Sequence, residues 1–77
     1  MTNAAEEVIL FLGPVESPIF EWLNNNEDSV IQTSDKITPE FITSNKVSFL
    51  VSYGYRHILR NNVLELLPNR AVNLHIS

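Results

Sequence analysis

Two polar side chains near the end of the sequence have the types and spacing needed for acyl transfer. Asn73 and His75 are two positions apart in an apolar run from Ala71 to Ile76. A β-strand repeats every two residues, so both side chains would project from one face, with Cα atoms about 7 Å apart. A carboxamide is a neutral donor that can hold a developing oxyanion, and an imidazole moves protons near neutral pH. The alternative is that Asn73 caps a turn and His75 is a surface residue.

Four apolar segments that could position this pair have the character of strands. They are residues 8–12, 29–33, 47–53 and 71–76. The first is apolar throughout and precedes Gly13-Pro14, which is typical of a strand buried on both faces of a parallel sheet. The last has the same buried character apart from Asn73 and His75. We therefore predict four strands, with the candidate pair on the fourth.

Helix signals separate these strands. Ser17-Pro18 and Thr38-Pro39 each place an N-cap hydroxyl before a proline at the first helical position. The first helix should bury a stripe of Ile19, Phe20, Trp22 and Leu23 and end at the asparagines 24–26, and the second should not extend past Ser44. The spacing of Leu59, Val63, Leu66 and Leu67 predicts a third, amphipathic helix that Pro68 ends.

This alternation of strands and helices predicts the fold class. It is typical of right-handed βαβ units, so we expect an α/β, Rossmann-like parallel sheet of about four strands with helices on its faces. A sheet that ends at the fourth strand leaves one face and one edge without cover. We therefore expect residues 1–77 to be the first part of a larger domain and to self-associate through the uncovered sheet.

Ligands of open parallel sheets bind beyond the carboxyl ends of the strands. The segments that should meet at this rim are residues 13–17, 53–59 and 73–77. Residues 13–17 follow the first strand as a phosphate loop would, but they lack the further glycines and the lysine of a nucleotide fingerprint. The rim is therefore the predicted site, without a nucleotide motif.

Composition excludes several classes of protein. The 77 residues are 44% hydrophobic and contain no cysteine, which rules out disulfides and thiolate metal sites. Two histidines and scattered carboxylates argue against a metal site, and no apolar run approaches the roughly 18 residues of a membrane span. Residues 1–35 carry a charge of −7 and residues 36–77 a charge of +3, giving −4 in total, which argues against nucleic-acid binding. We expect a cytoplasmic protein that binds an anionic small molecule in its second half.

The final third of the sequence resembles a known enzyme family. Asn73-Leu74-His75-Ile76-Ser77 is similar to the Asn-x-His-x-Ser element of the 10-formyltetrahydrofolate-dependent formyltransferases. That superfamily includes methionyl-tRNA formyltransferase, glycinamide ribonucleotide transformylase and the sugar N-formyltransferases. The segment from Val51 to Leu59, followed by a helix with Val63-Leu64-Glu65, resembles the strand, loop and helix that precede this element.

The resemblance implies a function and a set of site residues. Asn73 would polarise the formyl carbonyl, and His75 would assist proton movement as an amine attacks. The 10-formyltetrahydrofolate co-substrate would lie against a loop formed by Tyr53, Gly54, Tyr55, Arg56, His57, Ile58 and Leu59. The family's catalytic Asp would lie beyond Ser77, so the 77 residues alone should be inactive.

The acceptor and two alternative functions stay open at this point. A sugar nucleotide or another small amine is favoured over initiator tRNA as the acceptor, because the chain lacks a strongly positive surface. Hydrolysis of the formyl donor would use the same Asn and His. A non-catalytic α/β binding or interaction module would explain the missing carboxylate without any catalysis.

Overall fold

A computed structural model of the chain describes residues 7–57 and 59–74, which form four strands joined by three helices. The elements are β1 (Ile9–Leu12), α1 (Pro18–Asn26), β2 (Val30–Thr33), α2 (Pro39–Ser44), β3 (Phe49–Tyr53), α3 (Asn61–Leu64) and β4 (Ala71–Leu74). His75, Ile58 and the stretches 1–6 and 76–77 lie outside the described residues. The order of elements is the predicted one.

The four strands form one parallel sheet in the order β2-β1-β3-β4. The chain first moves from β1 to β2 on one side and then crosses back over β1 to add β3 and β4 on the other. The order therefore reverses between β1 and β3, which is the topological switch point of an open α/β sheet. The predicted α/β, Rossmann-like parallel sheet is confirmed.

Both faces of the central strands are covered. Leu10 and Leu12 of β1, with Leu50 of β3, pack against α2, α3 and the segments that flank them. Ile9 and Phe11, on the opposite face of β1, pack against Leu23 of α1. Because β1 lies between two cores, all four of its residues are buried, as its continuous apolar run predicts.

The two hydroxyl-proline signals start helices as expected. The Ser17 hydroxyl accepts a hydrogen bond from the Ile19 N–H at 3.1 Å, and the Thr38 hydroxyl accepts one from the Phe41 N–H at 3.3 Å. Each bond satisfies a backbone donor that a helix start otherwise leaves unpaired. These two helix starts are determined by residues adjacent in sequence.

The expected burial of Trp22 is wrong. Its side chain is 59% exposed, whereas Leu23 is buried and Ile19 and Phe20 are half-buried. Successive residues of a helix are rotated by about 100°, and a helix that packs on one sheet buries only a stripe of about that width. The stripe is centred near Leu23, so Trp22 falls outside it.

The third helix is shorter than its apolar spacing predicts. It ends at Leu64, and the Leu66 and Leu67 N–H groups instead donate to carbonyls three residues back. Pro68 disfavours helical backbone at the residue before it. Val63 and Leu67 are buried, but Leu66 is 42% exposed because the helical face on which it was expected does not extend that far.

The fourth strand is not a buried strand. Ala71 is half-buried, Asn73 is exposed, and Val72 and Leu74 remain 39% and 38% exposed. β4 pairs only with β3, and no described β4 residue belongs to the core that α1 covers. The strand therefore supplies the exposed edge and face that the sequence predicts.

No helix within residues 7–57 and 59–74 is long and apolar enough to cross a membrane.

Candidate functional site at the carboxyl edge of the sheet

The loops that follow β1 and β3 meet at the switch point. Gly13 has no room for a side chain, because a Cβ there would overlap the Tyr53 carbonyl oxygen. Gly54 adopts a φ of +70°, in the left-handed region that favours glycine, and a Cβ on it would lie 3.7 Å from Pro14 Cδ. Two glycines thus allow two strand ends to approach and turn at one rim.

The loop after β2 is tied to both of these rim loops. The Gly13 carbonyl accepts hydrogen bonds from the Gln32 side-chain amide at 2.6 Å and from the Ser34 hydroxyl at 3.0 Å. The Tyr55 hydroxyl donates to the Asp35 carbonyl at 2.7 Å. These bonds hold the loop after β1 and the loop after β3 against the same short segment, residues 34–35.

A cavity of about 760 Å³ opens beside β3 and β4 at this edge. This volume falls in the range of about 300–1,000 Å³ that is usual for small-molecule sites. The residues that line it are Leu50, Ser52, Gly54, Tyr55, Arg56, His57, Leu59, Leu64, Ala71, Val72, Asn73 and Leu74. The lining therefore combines an apolar sheet surface with polar groups of the loop after β3.

Asn73 lies beside Ser52 on one face of the sheet. The two residues are register partners across β3 and β4, and Leu12 is the partner of Ser52 on its other side. Leu12 belongs to the core under α2 and α3, so Ser52 and Asn73 face the same side of the sheet as that core. Both also line the cavity, which places the candidate oxyanion donor at its wall.

The residues predicted to bind folate divide between the cavity and its surroundings. Gly54, Tyr55, Arg56, His57 and Leu59 line the cavity. Tyr53 packs instead against the core under α1, on the opposite face. Ile58 and His75 lie outside the described residues, so the paired action of Asn73 and His75 stays a prediction.

Tyr55 organises the loop around itself. Its ring packs against the core under α2 and α3 and meets the His57 ring edge to face, with centroids 5.3 Å apart. Burial raises the pKa of Tyr55 above its ordinary value of 10.0, a backbone hydrogen bond from Ile37 lowers the pKa, and the Asp35 charge raises it. The phenol is therefore neutral at physiological pH and able to donate a hydrogen bond to the Asp35 carbonyl.

The described part of the chain offers no metal centre, since no three of its His, Asp and Glu side chains lie close enough to hold an ion. The polar residues that line the cavity include Ser52, Asn73, Arg56 and His57, which carry hydroxyl, amide, guanidinium and imidazole groups. Such groups suit an organic ligand with hydrogen-bonding edges and negative charge.

Sequence reasoning missed several residues of this region, of which three bear on the site. Ser52 and Leu64 line the cavity, and Asp35 receives the Tyr55 hydroxyl. Ser52 has a recognisable signal, because it is a hydroxyl within an otherwise apolar and aromatic strand, Phe49–Tyr53. Asp35 has none, because its contribution is a backbone carbonyl that any residue would supply.

The chain is similar over most of its length to a solved enzyme structure. The crystal structure of the formyltransferase PseJ from Anoxybacillus kamchatkensis, in complex with UDP-4,6-dideoxy-4-formamido-L-AltNAc and tetrahydrofolate, is 42% identical to this chain, with a TM-score of 0.75. The match covers 90% of this chain and 36% of PseJ, so the chain spans about a third of that enzyme's length. No protein-family model and no curated protein matches the chain.

This likeness agrees with the family resemblance of the final third and extends it to earlier residues. The sequence resemblance starts near Phe49, whereas the structural match covers nine tenths of the chain. At 42% identity the similarity goes beyond a shared fold. The sequence resemblance and this structural likeness together support an N-terminal formyltransferase fragment.

Proposed function

We propose that this chain forms the folate-binding part of a formyltransferase catalytic domain, and that the protein moves a formyl group from 10-formyltetrahydrofolate to an amine. The observation that carries the proposal is the shared cavity. Asn73 and five of the seven residues assigned to the folate loop line one space of about 760 Å³. PseJ, at 42% identity, has tetrahydrofolate bound.

The donor molecule supplies an activated formyl group, and the residues of this chain would bind and orient it. The amine nitrogen bonds to the formyl carbon, and the bond from that carbon to the folate nitrogen breaks. One proton leaves the amine, and one reaches the folate nitrogen. The Asn73 carboxamide would donate an N–H to the formyl oxygen as negative charge develops there. His75, two positions later in sequence, would accept the proton from the amine.

The loop after β3 would hold the folate. Gly54 gives the ligand access to the backbone, because it has no side chain between the chain and the cavity. Leu59 and Leu64 offer apolar surface, and Arg56 offers positive charge to a carboxylate. The Tyr55 bond to Asp35 would keep this loop in one conformation before the ligand arrives.

A small amine linked to a nucleotide sugar is the proposed acceptor. The ligand seen in PseJ carries a formamido group on a UDP-linked sugar, which is the product expected from formylation of an amine. The net charge of −4 favours such a molecule over initiator tRNA. The catalytic carboxylate of the family would lie beyond Ser77, so residues 1–77 alone should bind folate without turnover.

Folate binding is tested on the 77-residue chain by nuclear magnetic resonance. Addition of tetrahydrofolate should shift the amide signals of Gly54, Arg56 and Asn73, and it should leave Ser29 and Val47 at the opposite edge unchanged. A double variant, Asn73→Ala with His75→Ala, should bind more weakly by calorimetry. No shifts at the rim, or equal binding by the double variant, would favour a non-catalytic module.

A further inference from the structure

Two serines are buried among the described residues, and their hydroxyls differ in hydrogen bonding. Ser17 is 4% exposed and Ser52 is 2% exposed. The Ser17 hydroxyl accepts the helix-start hydrogen bond from Ile19. The Ser52 hydroxyl makes no hydrogen bond within the described part of the chain. Hydroxyls in the interior of a protein are normally hydrogen-bonded, so a nearly buried hydroxyl without a partner in this part of the chain needs an explanation.

Ser52 lines the cavity, and its oxygen is not fully enclosed by the described residues. Among the described residues, every fully enclosed side-chain nitrogen or oxygen has a hydrogen-bond partner. The Ser52 oxygen has none, so it is not fully enclosed, and the space that it borders is the cavity that it lines. With Leu12 on one side and Asn73 on the other, this oxygen lies at the cavity floor, next to the candidate oxyanion donor.

We propose that Ser52 is a ligand-contacting residue, whose hydroxyl hydrogen-bonds the bound folate beside the formyl position. This inference rests on the proposed function, because it takes the cavity ligand to be a folate. A hydroxyl can donate and accept, so it suits a ring edge that carries both N–H groups and lone pairs. The neighbouring positions are Leu50 and Leu12, so Ser52 supplies a polar contact on an apolar floor.

The test compares Ser52→Ala with Ser48→Ala. Ser48 precedes β3 at the opposite edge of the sheet, and its hydroxyl accepts a hydrogen bond from the Val8 N–H at 3.3 Å. Tetrahydrofolate, kept reduced, is titrated into each protein by calorimetry, and urea unfolding is followed in parallel. Loss of one ligand hydrogen bond should weaken binding by Ser52→Ala about 3- to 10-fold and leave its unfolding midpoint unchanged or higher. Ser48→Ala should bind normally and unfold at lower urea.

Each result decides a different point. If the parent chain binds tetrahydrofolate and Ser52→Ala binds equally well, the Ser52 contact is wrong and the proposed function stands. If Ser52→Ala loses stability as Ser48→Ala does, the hydroxyl has a structural role, which also overturns the inference. If the parent chain does not bind tetrahydrofolate, both the proposed function and the Ser52 contact fail.

Discussion

The Tyr55 hydroxyl donates a hydrogen bond to the Asp35 carbonyl at 2.7 Å, across twenty positions of sequence. The bond joins the loop after β3 to the loop after β2. The hydroxyl of Ser34, the residue before Asp35, donates a hydrogen bond to the Gly13 carbonyl in the loop after β1. Three rim loops are thus connected through one short segment, and the loop assigned to folate is held from outside the cavity.

Removal of the Tyr55 hydroxyl should weaken this connection. We expect Tyr55→Phe to lower the free energy of unfolding by about 1 kcal/mol, the usual net value of one hydrogen bond. Amide hydrogen exchange should become faster in residues 54–57, because the loop loses its tie to Asp35. Tyr53→Phe is the matched control, since Tyr53 packs under α1 and contributes no hydroxyl hydrogen bond within the described residues. Equal exchange in the two variants would contradict the role given to Tyr55.

Ionisation of Tyr55 should make stability depend on pH in the alkaline range. Burial raises the pKa of Tyr55 in the folded chain above the ordinary value of 10.0, so the folded state holds this proton more tightly than the unfolded state. The stabilisation is complete below pH 10.0 and is lost as pH rises through the raised pKa. Urea unfolding at several alkaline pH values should show this decline in the parent chain. Tyr55→Phe should lose less stability over the same pH range. Equal losses in the two proteins would show that the decline does not come from Tyr55.

The close approach of β1 and β3 should make Gly13 less tolerant of substitution than Gly54. A Cβ at Gly13 meets a backbone carbonyl, which can move only if the strand ends separate. At Gly54 a Cβ would make an ordinary van der Waals contact with Pro14 Cδ at 3.7 Å, and the cost is the strain of a positive φ, about 1–2 kcal/mol for alanine. We expect Gly13→Ala to be more destabilising than Gly54→Ala by urea unfolding. The reverse order would show that the two strand ends are not held in this contact.

Sequence patterns between neighbouring residues predicted most of the fold. Features that depend on residues distant in sequence, such as which face of a helix is buried, were predicted less well. The starts of α1 and α2 follow from Ser17-Pro18 and Thr38-Pro39, because a cap and its helix are neighbours in sequence. Trp22 was expected inside and lies outside, because the centre of a buried stripe depends on the sheet beneath it.

The candidate site shows the same division. Asn73 and five of the seven loop residues predicted from their motifs line one cavity, and their roles stay a prediction. The Ser52 hydroxyl stands out in an apolar strand, but its place beside Asn73 depends on the register between β3 and β4, which no local pattern in the sequence specifies. The role of Tyr55 depends on Asp35, twenty residues away, through a backbone atom.

The exposed strand β4 should cause the 77-residue chain to self-associate. Val72 and Leu74 are register partners of Val51 and Tyr53, on the face that α1 covers elsewhere, and both remain more than a third exposed. β4 has only β3 as a neighbour, so its outer edge presents backbone groups that a second copy could pair with. Sedimentation at increasing concentration should show a dimer or larger species. Val72→Lys should shift the chain towards monomer, because a charge on this face opposes pairing, whereas Val15→Lys, at an exposed loop position, should not. A parent chain that stays monomeric at high concentration would contradict the prediction.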